Sequence, residues 1–391
     1  MAIYGSISTE LEGLTMRFNK NSEMYEVVLD NYGPVGDKEG LARLKGELAA
    51  GKGPDLIDMD FGVRSMVENM YLEDLSLWLS ESGEISEGDF VDFATETYKI
   101  EGTLAAIPHR FDMTLTLGNA EVIGEEAGWT MEEYLDFLGG QGGSSVHALG
   151  DTNAKDVCRE ILRLNSGYFM DMDACTCNFD NDIFRKMVEV LKDYPLEYDY
   201  AAQGIGDWLG KLENGNAVLD TVSIQSFTSL QKYDRALGDN LNCIGLPVEE
   251  GVGVWAVMYD AFGISTFSEN KEGAWEFLEE FLQCRLSDPR LTCFTTYVPS
   301  LEVYADWFMN QEDLGKWKDG DVWRDNPIPV QEEIDRCMEL IELAQPGFNE
   351  FRMINDIIIP EMGDYYAGKT TMDEMIASIE GRVELYLKEH R

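Results

Sequence analysis

A chain of 391 residues is too long for one ordinary core and suits two domains, and its 44% hydrophobic and 11% aromatic content excludes a disordered polymer. With 74 acidic residues against 30 basic ones, the formal net charge of −44 describes a solvated acidic surface that repels nucleic-acid phosphate and anionic lipid, so no nucleic-acid partner is expected. No run of about 18 apolar residues occurs, which excludes a transmembrane helix.

The first stretch alternates strand and helix. Residues 3–5 read as a short strand, and Thr9 and Glu12 as a capping box ahead of a helix with Leu11, Leu14 and Phe18 on one face. Residues 25–29 (YEVVL) and 56–59 read as strands. Leu41, Leu44 and Leu48 mark a helix between them, and Val63, Met66, Val67 and Met70 another at i, i+3, i+4, i+7. This alternation predicts a mainly parallel sheet covered on both faces. Residues 103–119 then form a long extended segment, with Met113, Leu115 and Leu117 alternating with Thr114 and Thr116 and Pro108 breaking it.

A helix follows the Thr130–Glu133 capping box, then a glycine-rich loop at 139–145, helices near 154–165 and over Phe184, Met187, Val188 and Leu191, and a strand at 217–222. A second long extended segment covers residues 254–264. Ala274, Phe277, Leu278 and Phe281 mark the next helix, and Thr371 and Glu374 cap the last. No Pro/Ser linker separates two domains, so the long strands themselves are expected to join them, with the ligand in the cleft.

Catalytic signatures are missing. The three histidines sit outside any HExxH arrangement, and the chain has no GxSxG, P-loop or dinucleotide fingerprint. Asp171, Asp173, Asp180 and Asp182 cluster near Cys175 and Cys177 without EF-hand spacing and read as a solvated acidic loop. The odd count of seven cysteines excludes complete internal pairing. His109, Arg110, Phe111 and Asp112 are groups of the kind that grip a polar ligand, with a purely structural role the competing reading and a catalytic His109, for which the sequence assigns no nucleophile partner, the third. Trp255, in the second long segment, is placed either to stack on a ligand or to pack a core.

Several segments carry a resemblance: Phe18-Asn19-Lys20 with Tyr25-Glu26-Val27-Val28, Gly51-Lys52-Gly53-Pro54-Asp55, Tyr71-Leu72-Glu73-Asp74-Leu75, Gly102-Thr103-Leu104-Ala105-Ala106-Ile107-Pro108, Gly128-Trp129-Thr130, Asn270-Lys271-Glu272-Gly273-Ala274-Trp275 and Tyr366-Ala367-Gly368. In this order and spacing they resemble the extracellular solute-binding proteins of ATP-driven importers, the broad group that includes maltose-binding protein. The resemblance implies an α/β, two-lobed periplasmic-binding-protein type II fold whose lobes are joined by crossing hinge strands. The expected lobes are 1–112 with 262–302 and 113–261 with 303–391.

It also implies a non-catalytic receptor that captures a small solute, a saccharide favoured, by hinge closure and delivers it to a membrane permease. The expected ligand residues are Ser6, Ser8, Asp60, Phe61, Arg110, Phe111, Gln225, Ser226, Trp255, Tyr259, Phe348 and Phe351, with no metal and no cofactor. The stretch 223–227 offers only Phe227 as an aromatic platform, which speaks against a maltodextrin. A peptide or other organic solute is the runner-up. A glycan-active enzyme would need two carboxylates facing across a cleft, and a cell-surface scaffold would lack a ligand-sized cleft. The chain opens without a leader pattern, so either a cytosolic protein or a trimmed mature form is expected. The resemblance favours the second: an extracellular monomer, lipid-anchored in its native form.

Overall fold

The computed structural model describes residues 1–3, 7–34, 37–59, 63–203, 207–288, 293–319, 322–348 and 351–389. The chain forms two compact units, Met1–Asp112 with Met258–Asn310 and Met113–Val257 with Gln311–Arg391. It therefore passes between them three times: inside the strand Ile107–Asn119, inside the strand Val254–Ile264, and after Asn310. Pro108 is the second residue of the first crossing strand and does not break it. So near a strand start, its missing N–H disturbs the ladder little.

In the first unit Ala2–Ile3 runs parallel to both Asp30–Asn31 and Leu56–Asp58, and the latter pairs antiparallel with residues 262–264. Successive side chains of a strand point to opposite faces. Accordingly Ile3, Leu56, Phe262 and Ile264 join one buried cluster, and Ala2, Ile57 and Ala261 another. This sheet is thus buried on both faces. The helix Thr9–Asn21 covers one face with Leu11, Leu14 and Phe18, and Phe18 meets Phe277 of the helix Lys271–Leu282 edge-on at 5.2 Å. The helix Lys38–Ala49 covers the other with Leu44 and Leu48.

Two local expectations change here. The cap of the first helix is Ser8, one residue earlier than the Thr9 box, its hydroxyl accepting the Leu11 amide at 3.1 Å. Residues 25–29 are not a strand. The Asn19 carboxamide takes both backbone groups of Val27, at 2.7 and 2.8 Å, and so replaces the neighbour a ladder would supply.

The second unit is mostly antiparallel. Residues 113–118 pair antiparallel with Leu219–Ile224, and 118–119 with Leu241–Asn242. Among the described residues, 254–256 run parallel to Ala344–Pro346, and His147 makes an isolated parallel bridge to Leu219. The mainly parallel sheet expected from the first stretch therefore describes Ala2–Ile3, Asp30–Asn31 and Leu56–Asp58, whereas parallel pairing is the minority in the second unit. The Met113–Leu117 alternation is the physical sign, since strands of an all-parallel sheet read as continuous apolar runs. Thr116 and Thr221, directly opposed, bond hydroxyl to hydroxyl at 2.9 Å.

One large core unites the helices of this unit: Tyr134, Ile161, Phe169, Phe184, Met375, Ile379 and Val383 belong to a single buried cluster. The Thr130–Glu133 and Thr371–Glu374 capping boxes form as expected. Residues Ile354–Ile358 make a π-helical turn just before Pro360. Proline has no N–H and its ring collides with the carbonyl four residues back, here that of Asp356, so the helix widens.

Candidate functional site: a charged pocket in the second unit

The helix Ala154–Phe169 begins at Asn153, whose side chain accepts the Asp156 amide at 3.1 Å and donates to the Asp151 carbonyl at 2.9 Å. From that start, Asp156, Arg159, Glu160 and Arg163 fall at i, i+3, i+4 and i+7, one face of the helix. All four line a pocket of about 250 Å³, together with Thr114 of the first crossing strand, Asp220 and Ser223 of the strand Leu219–Ile224, and His147 and Asp151 of the loop before the helix.

The pocket is charged and tightly wired. Asp220, 1% exposed, accepts the Leu149 amide at 3.1 Å and the Tyr233 hydroxyl at 3.3 Å. Burial pushes its carboxyl up to about 7, the two hydrogen bonds pulling against it and Glu160 adding to the rise. Glu160 is buried and accepts the Tyr134 hydroxyl, and its other oxygen stands 3.6 Å from His147 Nε2. His147 Nδ1 lies 2.9 Å from the Thr152 hydroxyl. Arg159 pairs with Asp156 at 3.0 Å and reaches Asn355 at 3.2 Å, while Asp156 also takes the Tyr200 hydroxyl at 3.3 Å. The Arg163 guanidinium lies 4.4 Å over the Trp255 ring, and burial lowers its pKa to about 10. Directional donors and acceptors of both signs, set in a partly closed concavity, suit a polar organic solute.

The expected ligand residues separate. Trp255 and Phe348 come together around Arg163 in the second unit: Trp255 is 4% exposed under the guanidinium, and the Phe348 amide donates to the Arg163 carbonyl at 2.7 Å. Gln225 is exposed, and Ser226 is buried, its hydroxyl 3.0 Å from that of Thr228. In the first unit Arg110 is ion-paired with Asp260 and lies 6.0 Å from the Tyr259 ring, which is 41% exposed. Asp260 holds φ at 53°, an uncommon backbone state for a residue other than glycine. Phe111 is fully buried between Phe93 and Phe294, and Ser8 is the helix cap described above. Ser6, Asp60 and Phe61 lie outside the described residues, as does the side chain of Phe351.

The acidic loop resolves into ordinary turn and pairing contacts. Asp171 accepts the amides of Asp173 and Ala174, and Asp180 pairs with Arg185 at 2.7 Å. All seven cysteines are free. Sequence reasoning missed Asp156, Glu160, Arg163, His147 and Asp220. The charged i, i+3, i+4, i+7 stripe from Asp156 to Arg163 was a readable signal for three of them. Asp220, in a strand among apolar neighbours, carried none beyond its own polarity.

The chain has the fold of the periplasmic and extracellular solute-binding proteins, an α/β architecture of two units joined by crossing strands. It is similar over 99% of its length, and 97% of the other chain, to an extracellular solute-binding protein family 1 from Alicyclobacillus acidocaldarius, with a TM-score of 0.60 and 12% identity. It is similar in the same way to the sugar-binding protein MalE from Xanthomonas citri, with a TM-score of 0.61, 15% identity and coverage of 100% and 98%. A cyclic α-maltosyl-1,6-maltose binding protein from Arthrobacter globiformis matches with a TM-score of 0.57, 14% identity and coverage of 99% and 98%. No family model matches the sequence, and no curated protein matches it. Among the described residues no helix is long and apolar enough to cross a membrane.

Proposed function

We propose that this chain is the extracellular substrate-binding subunit of an ATP-driven importer, a non-enzymatic receptor that captures a sugar or oligosaccharide and passes it to a membrane permease. The observation that carries the reading is the polar pocket of the second unit, set in a fold shared end to end with solute-binding proteins. Arg163, Asp156, Asp151 and Ser223 are the groups that would hold ligand hydroxyls, with Trp255 supporting Arg163 from below. Closure about the two crossing strands is the capture step in this proposal, and the receptor acts as a monomer, lipid-anchored at the cell surface.

The test is a thermal-shift screen of the purified chain against sugars, oligosaccharides, peptides and amino acids. A ligand at about 100 times its dissociation constant adds roughly 2.7 kcal/mol of stability. A selective shift with one sugar class, abolished by Arg163→Met and without product formation, is expected. Turnover of a glycan, or no shift with any solute, sinks the receptor reading. A peptide or other charged organic solute is the second reading, favoured by the two guanidiniums and the carboxylates of the pocket. A shift with peptides alone would select it.

A further inference from the structure

Away from the pocket, the first unit gathers three chemically distinct side chains from three distant segments. Glu10 stands in the first turn of the helix Thr9–Asn21, His109 in the first crossing strand, and Cys284 just past the helix Lys271–Leu282. His109 Nε2 lies 3.4 Å from Glu10 Oε1, Cys284 Sγ 3.4 Å from the same oxygen, and Cys284 Sγ 3.6 Å from His109 Nε2. One atom from each residue thus makes a nearly equilateral triangle.

The size of that triangle is informative. An imidazole–carboxylate hydrogen bond normally closes to about 2.7–3.2 Å, and this one has not. Zinc binds nitrogen and oxygen at about 2.0–2.2 Å and thiolate sulfur at about 2.3 Å in a tetrahedron, whose edges are then about 3.3–3.6 Å. The Nε2–Oε1 and Nε2–Sγ separations equal such edges and the Oε1–Sγ separation is about 0.1–0.3 Å short of its own, so an ion can enter with a small outward movement of the thiol.

The surroundings fit as well. His109 is fully buried and its ring packs 4.4 Å from that of Phe281, which fixes its orientation. Arg285, 3% exposed, donates to the other Glu10 oxygen at 3.0 Å, so Oε1 is the oxygen left facing the triangle. The same guanidinium holds the Cys293 sulfur at 3.1 Å. A pocket of about 340 Å³, lined by Thr9, Gly13, Leu14 and Arg17, reaches Glu10 and Cys284 and supplies an entry path and room for a water as fourth ligand.

We propose that Glu10, His109 and Cys284 form a transition-metal site, suited to zinc, with three protein ligands and a fourth position open to solvent. Mixed thiolate, imidazole and carboxylate donors select zinc or its cobalt substitute over magnesium or calcium, which prefer all-oxygen shells.

The experiment titrates Co(II) and then Zn(II) into the full chain after chelator treatment. One equivalent of Co(II) is expected to give the thiolate-to-cobalt charge-transfer band with the visible bands of a four-coordinate ion, all bleached by Zn(II). Cys284→Ser should abolish the charge-transfer band. Glu10→Gln removes a ligand outright and should weaken binding by at least the roughly 10-fold that loss of a mere supporting partner costs, while leaving the band's position. Cys177→Ser, in the other unit, should change nothing. Circular dichroism of each variant without metal separates lost ligation from lost folding, and either variant that folds suffices. Absence of stoichiometric uptake, or uptake indifferent to both Cys284→Ser and Glu10→Gln, overturns the site. So does a preference for Mg(II) or Ca(II).

Discussion

Asp220 is a carboxylate that the fold holds partly protonated near neutral pH. Its folded pKa of about 7 lies above the ordinary carboxylate value, so the folded chain binds the extra proton and the unfolded chain does not. The sign follows. Its burial is tolerated below about pH 4, and stability falls as pH rises through 7, by up to about 4 kcal/mol at roughly 1.4 kcal/mol per pKa unit. Asp220→Asn keeps the acceptor for the Leu149 amide and removes the charge. In ligand-free chemical denaturation at pH 8 the variant should be more stable than the parent, and near pH 4 the difference should vanish. A constant difference across pH would remove Asp220 as its source. Trp255 and Tyr259 make a second contrast. Trp255→Ala should cost about 3–5 kcal/mol because the ring is 4% exposed, whereas Tyr259→Ala, at 41% exposure, should shift stability by less than about 1 kcal/mol.

Between neighbouring elements, glycine decides one contact. At Gly347 a Cβ would stand 2.4 Å from the Arg163 carbonyl oxygen and 2.7 Å from Trp255 Cδ1. The helix Ala154–Phe169 and the second crossing strand approach the chain there as closely as a bare backbone allows. Gly347→Ala should therefore cost about 1–3 kcal/mol in denaturant unfolding, and should weaken any ligand that uses Arg163. Elements with strong local rules were legible in the sequence. The capping boxes at Thr130 and Thr371 and the helical stripes need only nearest neighbours on one helix. The segment 25–29 was not, because its apolar pattern is that of a strand while Asn19, several residues back, takes its hydrogen bonds. Nor was the strand Leu219–Ile224 placed correctly to the residue, since its register is set by the crossing strand it pairs with and not by its own pattern. The pocket was not legible: among the described residues, none of the expected ligand residues lines it. Trp255 and Phe348 stood out as aromatics but only contact Arg163, and the buried Asp220 and Glu160 depend on Tyr233 and Tyr134, partners that only the fold brings to them.

For the whole molecule, the two units differ in how they draw on the chain. Ending the polypeptide at Asn310 leaves every segment of the first unit and removes Met353, Ile354, Met375, Ile379 and Val383 from the core of the second. Hydrogen exchange on that truncated chain should show amide protection retained in Leu56–Asp58 and Lys271–Leu282 and lost in Met131–Gly140 and Ala154–Phe169. Uniform loss would mean that the first unit cannot stand without its partner. The net charge of −44 makes a second expectation at this scale. Self-repulsion is screened as the Debye length falls from about 30 Å at 0.01 M salt to about 3 Å at 1 M, so the melting temperature should climb with salt. A flat response in sodium chloride would show that the carboxylates are already neutralised by local pairing.

The three crossings also govern timing. Neither unit is a continuous stretch of chain, so a ribosome emitting residues in order completes the first only at Asn310. At about 5–20 residues per second that takes roughly 15–60 s. The second unit waits longer still, for the helix Met372–Glu389 that closes its core. Until Asn310 is made the nascent polypeptide holds partial sheets and neither unit in full. Late completion suits a polypeptide that must be threaded unfolded through a membrane pore, the journey that the proposed extracellular role requires.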